Sequence, residues 1–160
     1  MVQKILKPII GGLILWPEKI AAYILDLGPL LARLVLGEVF MMSGWGKLQN
    51  LELVTENFIG WGIPYAQLLT PLVSGVEFIG GLLLMLGLVT RISAGMLAVI
   101  MLVAIRSALW DQVAPFNSLV SLDTLLGFSE SAYFALFTWL AIAGAGKLSL
   151  DYWLTERFKQ

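Results

Sequence analysis

The chain lacks cysteine and histidine altogether, and only 13% of its 160 residues are charged. Without cysteine it cannot form a disulfide, a redox thiol or a thiolate metal site. Without histidine it lacks the usual haem ligand and the commonest ligand of zinc and copper, so we expect no haem or metal site. Any redox chemistry must therefore use a diffusible cofactor such as a quinone, or belong to a partner protein.

The shortage of charge comes with an excess of apolar residues, which make up 59% of the chain and give it a mean hydropathy of +0.87. The excess is concentrated in four blocks, at residues 29–48, 67–90, 92–110 and 131–146. A helix needs about 20 apolar residues to cross a bilayer, and only the last block is marginal in length. The sequence therefore predicts an all-α fold, a bundle of four transmembrane helices. The net charge of −1 gives no reason to expect a nucleic acid as a partner.

A short segment with its own helix signals precedes the first block. Pro17 suits the first turn of a helix and Gly28 its end. The apolar residues between them fall on one side, which predicts a short amphipathic helix at the membrane interface. A helix packed against the bundle is an equally good interpretation. We divide the chain into this N-terminal segment (1–28), a transmembrane domain (29–148) and a C-terminal tail (149–160).

The basic residues indicate how the bundle is oriented. Lysine and arginine are concentrated in the N-terminal segment, at the turn between the second and third blocks, and after the fourth. By the positive-inside rule that side is cytoplasmic. The sequence thus predicts a multi-pass protein of a bacterial-type inner (cytoplasmic) membrane with both termini in the cytoplasm. The two longer loops, at 49–66 and 111–130, then face outward.

Glu77 is the most informative residue, because the segment 66–89 contains no other charge. An ionisable side chain inside a membrane span usually marks a functional site. Glu77 lies 14 positions before Arg91, and Arg106 lies 14 positions after Ile92. Both therefore lie about 21 Å from the turn between these helices. We expect Glu77 and Arg106 to form an ion pair.

The first span adds Lys47 near its outer end and Glu38 closer to mid-depth, both near enough to couple to that pair. The candidate catalytic residues are therefore Glu77, Arg106, Lys47 and Glu38, and the candidate cofactor-binding aromatics are Phe40, Trp45 and Phe78. Two arginines nearer the cytoplasm, Arg33 and Arg91, are expected to extend to the lipid headgroups. The alternative for the buried charges is that they only fix how the helices pack.

Three segments resemble the DoxX family. Residues 33–40 (RLVLGEVF) lead to GWGKL at 44–48 and are similar to its first span. Residues 77–91 (EFIGGLLLMLGLVTR) resemble its second-span signature, and residues 144–151 (GAGKLSLD) resemble its closing motif. The resemblance extends over roughly residues 25–154. It implies a four-helix membrane protein, in agreement with the count of apolar blocks.

The resemblance also implies a range of functions. Family members include small subunits resembling components of thiosulfate:quinone oxidoreductase or of a terminal quinol oxidase. Others are membrane parts of assemblies that handle oxidative stress, or accompany the biosynthesis of metal-binding peptides. We therefore expect a quinone-associated redox subunit, and whether the chain is itself an oxidoreductase stays open. Arg106 and Lys47 would donate hydrogen bonds to the quinone, while Glu77 or Glu38 would exchange protons.

Two other functions stay open at this point. The first is a non-enzymatic accessory or scaffold protein whose outward loops recruit a redox or metal-handling partner. The second is a small transporter that uses the charged interior as its pathway, which is disfavoured because the chain shows no inverted repeat. Besides the lipid bilayer, we expect a protein partner or further copies of the chain.

Overall fold

The computed structural model describes residue 21, residues 24–113 and residues 115–159. From Leu27 onward these residues form helices and short connections, with no strand. We number the helices α1 (Leu27–Gln49), α2 (Leu51–Gly60), α3 (Ala66–Leu86), α4 (Thr90–Ala104), α5 (Trp110–Val113), α6 (Leu119–Gly127), α7 (Ser129–Ala143) and α8 (Leu150–Phe158); a π-helical turn, Ile105–Leu109, joins α4 to α5. The predicted N-terminal interfacial helix lies largely outside the described residues.

Among the described residues, three helical stretches are long and apolar enough to cross a membrane: α1, α3 and the run Thr90–Val113, which includes α4 and α5. They correspond to the first three predicted spans. The fourth differs, because α7 ends at Ala143 and meets the preceding α6 at an angle of 72°. The part of the chain that the structure describes therefore has a fourth crossing only if α6 and α7 together form one bent span. The predicted all-α membrane bundle is confirmed, whereas the bend was not predicted.

The bundle is assembled from two tightly packed helix pairs. α1 packs along α3, and α4 packs along α7, while contacts between α3 and α4 and between α1 and α7 join the pairs. Phe40 on α1 lies at the junction, with its ring edge-on to Phe137 at 4.7 Å and to Tyr133 at 5.4 Å between centroids. Phe40 and Phe137 belong to the buried core, whose other members include Leu36, Leu84, Leu97 and Leu140, and the partly buried Tyr133 packs against it.

The contact between α1 and α3 depends on glycine. A Cβ atom on Gly44 would lie 2.7 Å from the carbonyl oxygen of Ser74, and one on Gly37 would lie 2.7 Å from that of Gly81. Distances this short leave no room for any side chain, so the two backbones are in direct contact. Small residues allow such close approach of helices in membranes. The seven-residue spacing of Gly37 and Gly44 places both on one face of α1, so the sequence predicts this packing role, and the structure confirms it.

We call the end of the bundle with the α3–α4 turn and α8 the turn end, and the opposite end, with α2 and α6, the loop end. At the turn end the Asp151 carboxylate accepts hydrogen bonds from the N–H groups of Val89 (2.7 Å) and Thr90 (2.9 Å). Arg91 donates to the carbonyl oxygens of the last residues of α7, Ala141, Ile142 and Ala143. Charged side chains thus satisfy backbone groups that a helix end leaves without partners.

Arg33 has the same role inside the bundle. Its guanidinium donates to the carbonyl oxygens of Leu84 (3.4 Å) and Leu148 (2.6 Å), and the residue is only 1% exposed. The prediction that Arg33 extends to the lipid headgroups is wrong, because the free carbonyl groups of the α3 end and the α7–α8 connection are closer acceptors. Arg91 is exposed, but its guanidinium is likewise bonded to backbone carbonyls.

The glycine contact gives a matched pair of substitutions. Gly44→Ala should lower the free energy of unfolding by about 1–3 kcal/mol, because the added methyl group forces α1 and α3 apart. Gly75→Ala on α3 is the control, since a Cβ atom there meets nothing within 4 Å. It should leave stability unchanged or raise it by up to about 1 kcal/mol through helix propensity. Thermal unfolding in detergent, followed by circular dichroism, tests both; equal effects of the two substitutions would contradict the packing argument.

Candidate functional site

The centre of the site is the carboxylate of Glu77, near the middle of α3 and fully buried. The Nζ atom of Lys47 lies 2.6 Å from each of its two oxygens, and the Ser43 hydroxyl donates to one of them at 3.1 Å. Ser43 and Lys47 are four residues apart on α1, so they project from one face toward the same acceptor. The Gly44 backbone contact lies between them and brings this face against α3.

The ion pair offsets the free-energy cost of placing a charged side chain inside the bundle. An acidic side chain at the centre of a membrane helix costs about 2.5–3.5 kcal/mol on insertion scales unless a partner compensates it. Glu77 has a cation on both oxygens, in charge-assisted hydrogen bonds that are short and strong. Its side chain is 1% exposed, whereas that of Lys47 is 32% exposed. The Glu77 side of the pair is therefore buried, and its Lys47 side is accessible.

The accessible side faces a cavity of about 580 Å³ at the loop end. Its walls are mainly apolar and come from α1, α2, α3, the α4 run and α7; Phe58 and Trp61 belong to α2 and its end. The polar groups are concentrated in a few side chains of the lining: Ser43, Lys47, Glu77, Ser107, Glu130 and Tyr133. The cavity thus combines apolar walls with a small group of hydrogen-bonding side chains.

The predicted pairing of Glu77 with Arg106 is wrong. Arg106 is exposed, does not line the cavity, and stacks its guanidinium on Trp110, with Cζ 5.7 Å from the ring centroid. Equal depth on two adjacent helices does not fix the direction in which a side chain points. Arg106 follows the buried Met101 by five positions, which turns it about 140° away from the packed face of an ideal helix.

Glu38 is also not part of the site. It is exposed on α1, and within the described part of the chain it makes no side-chain hydrogen bond or ion pair. The buried face of α1 contains Gly37 and Phe40. Glu38 lies about 100° from the first and 160° from the second around the helix, so it points outward. The prediction that Lys47 couples to Glu77 is confirmed, and the same prediction for Glu38 is wrong.

Of the three aromatic residues predicted to bind a cofactor, Phe40 alone lines the cavity. Trp45 and Phe78 instead pack against each other across the α1–α3 contact, with ring centroids 5.6 Å apart. Their position one residue beyond Gly44 and Glu77 turns them to the outer side of the helix pair. Trp45 and Phe78 therefore do not belong to the lining of this cavity.

Several polar residues of the cavity were not among the predicted site residues. Ser43 could have been recognised, because it precedes Lys47 by one helical turn and therefore lies on the same side of α1. Tyr133 is an aromatic residue near the end of a span, where an interface anchor is expected, and Glu130 ends the outward loop 111–130. Ser107 carries no signal in the sequence. Their approach to the cavity depends on how α7 packs against α4, which no local pattern specifies.

The ion pair predicts an asymmetric response to mutation. Lys47→Met leaves the Glu77 carboxylate buried without its cation and should lower the free energy of unfolding by about 3 kcal/mol, the lower part of the range for broken buried pairs. The double variant Lys47→Met/Glu77→Met should recover most of this loss. Arg106→Met is the control and should change stability by less than about 0.5 kcal/mol. Unfolding in detergent measures all three; a loss in Arg106→Met equal to that in Lys47→Met would contradict the assignment.

Comparisons with known proteins agree with this architecture. The DoxX family model matches residues 28–110, from the start of α1 to the start of α5. The chain is 31% identical to the Bacillus subtilis (strain 168) protein named "Putative oxidoreductase CatD" over 128 residues, 79% of this chain and 86% of that protein. It is 32% identical to the "Inner membrane protein YqjF" of Escherichia coli (strain K12) over 133 residues, 83% of this chain and 96% of that protein. No solved structure matches the chain. With its apolar helices and its match over more than half its length, the chain is a membrane protein of the DoxX family.

Proposed function

We propose that this protein is a membrane redox subunit that binds a quinone or quinol in the loop-end cavity. The single observation that supports this most is the Lys47–Glu77 pair facing an apolar cavity of about 580 Å³. Binding sites for small molecules typically measure about 300–1,000 Å³ and combine apolar walls with a few convergent polar groups. One of the relatives, CatD, is named as an oxidoreductase.

The cavity has the donors that a quinone requires. A quinone ring has two carbonyl oxygens, each of which accepts hydrogen bonds. The ammonium of Lys47 has three donors, of which the Glu77 carboxylate accepts two, so one is left for a ligand. The hydroxyl group of Tyr133 is a second donor in the lining, on the α7 side. The apolar walls, including Phe40 and Phe58, suit the ring and an isoprenoid tail.

The ion pair also suits the proton chemistry of a quinone. Two-electron reduction of a quinone to a quinol takes up two protons, and the reverse reaction releases two. Lys47 holds a proton at the accessible side of the site, and Glu77 holds the ammonium in place and accepts its hydrogen bonds. Charged side chains at hydrogen-bonding distance from a reacting group are the usual means of proton transfer. Electrons would come from a partner, in keeping with a chain that lacks histidine and cysteine.

The geometry modifies the predicted mechanism in two respects. Arg106 is outside the cavity lining, so Lys47 takes over the donor role that the sequence divided between the two. Glu38 likewise has no part in the proton exchange, because it faces away from the bundle. The proposed site therefore consists of Lys47, Glu77, Ser43 and Tyr133.

An accessory role is the second candidate, supported by helix α6 at the loop end. None of its residues is buried, and Leu119 and Val120 are 84% and 74% exposed. An apolar helix without a covering layer is typical of a surface that contacts a partner or lipid. Under this alternative the Lys47–Glu77 pair only stabilises the bundle, and no ligand would occupy the cavity.

The first experiment is to purify the protein from native membranes and quantify the extracted quinone by mass spectrometry. Tyr133→Phe is the most informative variant, because it removes one hydroxyl and keeps the ring that packs on Phe40. It should bind quinone about tenfold more weakly while unfolding at the same temperature as the native protein. Glu77→Gln should also lose quinone.

The control for this experiment is Arg106→Met, which removes a charge outside the cavity and should retain stoichiometric quinone. Equal quinone content in all variants, or none in the native protein, would contradict the proposal. Copurification of a protein partner without quinone would instead support the accessory role.

A further inference from the structure

Glu38 lies at the centre of the first membrane span, eleven residues from Leu27 and eleven from Gln49. It is exposed, and none of the described residues donates a hydrogen bond to it. It belongs to an exposed strip along α1 that we call the Glu38 face: Leu31, Leu34, Val35, Glu38, Met42, Trp45 and Gly46. The rest of this strip is apolar, as a surface in contact with hydrocarbon requires.

A carboxyl group in this position needs a hydrogen-bonding partner. Lipid chains have no donor or acceptor, and ionisable residues inside membranes almost always face a protein partner or a water-filled cavity. Glu38 does not line the loop-end cavity. The Glu38 face must therefore be covered by something with a matching polar group at the same depth.

No described cation on the surface of the bundle meets that condition. Arg106 is exposed, but it lies 16 residues beyond Thr90, the first residue of α4, and therefore about 24 Å from the turn end. Glu38 lies eleven residues beyond the first residue of α1, about 16 Å from the same end. Arg91, Lys147, Arg157 and Lys159 lie at the turn end.

We propose that the Glu38 face is the interface with a second copy of this chain, in which the two Glu38 side chains form hydrogen bonds to each other. Copies inserted in one membrane have the same orientation, so a twofold axis between them is perpendicular to the membrane. Each residue near the axis then faces its own copy at the same depth. A carboxyl group that holds a proton is both donor and acceptor, so it is its own hydrogen-bonding complement.

Gly46 supports a close helix contact on this face. It lies two turns beyond Glu38 on the same strip, and a Cβ atom on it would meet nothing within 4 Å. Within the part of the chain that the structure describes, no neighbouring atom requires the absence of a side chain at Gly46, in contrast to Gly44, two residues earlier. On an interface between two α1 helices, a glycine lets the backbones approach closely.

Disulfide cross-linking in native membranes tests the proposal directly, because the chain has no cysteine of its own. Met42→Cys places one thiol on the Glu38 face and leaves Glu38 in place. Oxidation should join two chains, since residues near a twofold axis come within the Cα separation of about 7 Å that a disulfide spans. Leu102→Cys on α4 is the matched control, exposed to a similar degree but on another face, and should stay monomeric.

The role of the carboxyl group is tested in the Met42→Cys background. Glu38→Gln keeps a donor and an acceptor and should retain the cross-link. Glu38→Leu removes both, so it should lower the yield of the Met42→Cys cross-link about fivefold or more when the protein is diluted into lipid. This is the range expected for interhelical hydrogen bonds in membranes.

Three results would overturn the proposal. They are a Met42→Cys yield no higher than that of Leu102→Cys, a cross-link to a chain of different mass, and equal yields with glutamine and leucine at position 38. The readout does not depend on quinone, so failure of the proposed function would leave it unaffected.

Discussion

The direct backbone contact between α1 and α3 determines the position of almost every functional group in this protein. Gly37, Gly44 and Gly81 allow the two helices to touch, and Ser43, Lys47 and Glu77 lie on either side of that contact. A side chain in place of Gly44 would separate the helices. The bond between Lys47 and Glu77 would then lengthen, leaving a carboxylate in the bundle without its cation. The packing of small residues and the electrostatics of the site are thus a single constraint.

The same physical requirement explains the turn end. Hydrocarbon cannot satisfy polar groups, so the free backbone groups of each helix end need partners within the protein. Arg33, Arg91 and Asp151 meet this need for the ends of α3 and α7 and the start of α4. At this end charge stabilises the structure. At the loop end, the Lys47–Glu77 pair leaves one basic group accessible from a cavity, which is why the proposed chemistry is placed there.

Two charged residues of the membrane spans that lie outside these clusters, Arg106 and Glu38, illustrate different solutions. Arg106 stacks on Trp110 toward the loop end, where a long cationic side chain can reach the membrane surface. Glu38 is too short and too central for that solution, so it points to an interface with another chain. The proposed dimer and the proposed quinone site lie on different sides of α1, since Phe40 and Lys47 face inward and Glu38 and Met42 face outward.

The amino-acid sequence by itself determined the fold class, the first three membrane spans and the importance of Glu77, because hydrocarbon imposes length and polarity limits that composition reveals directly. It also indicated that Gly37 and Gly44 share one face of α1, since residues seven apart lie on the same side of a helix. Only the tertiary structure decided which cation pairs with Glu77. The depth of a residue in the membrane follows from counting residues, whereas the direction in which its side chain points depends on how the helices are rotated against one another. The bend before α7, the approach of Tyr133 to the cavity and the outward position of Glu38 were decided in the same way, by contacts between helices distant in sequence.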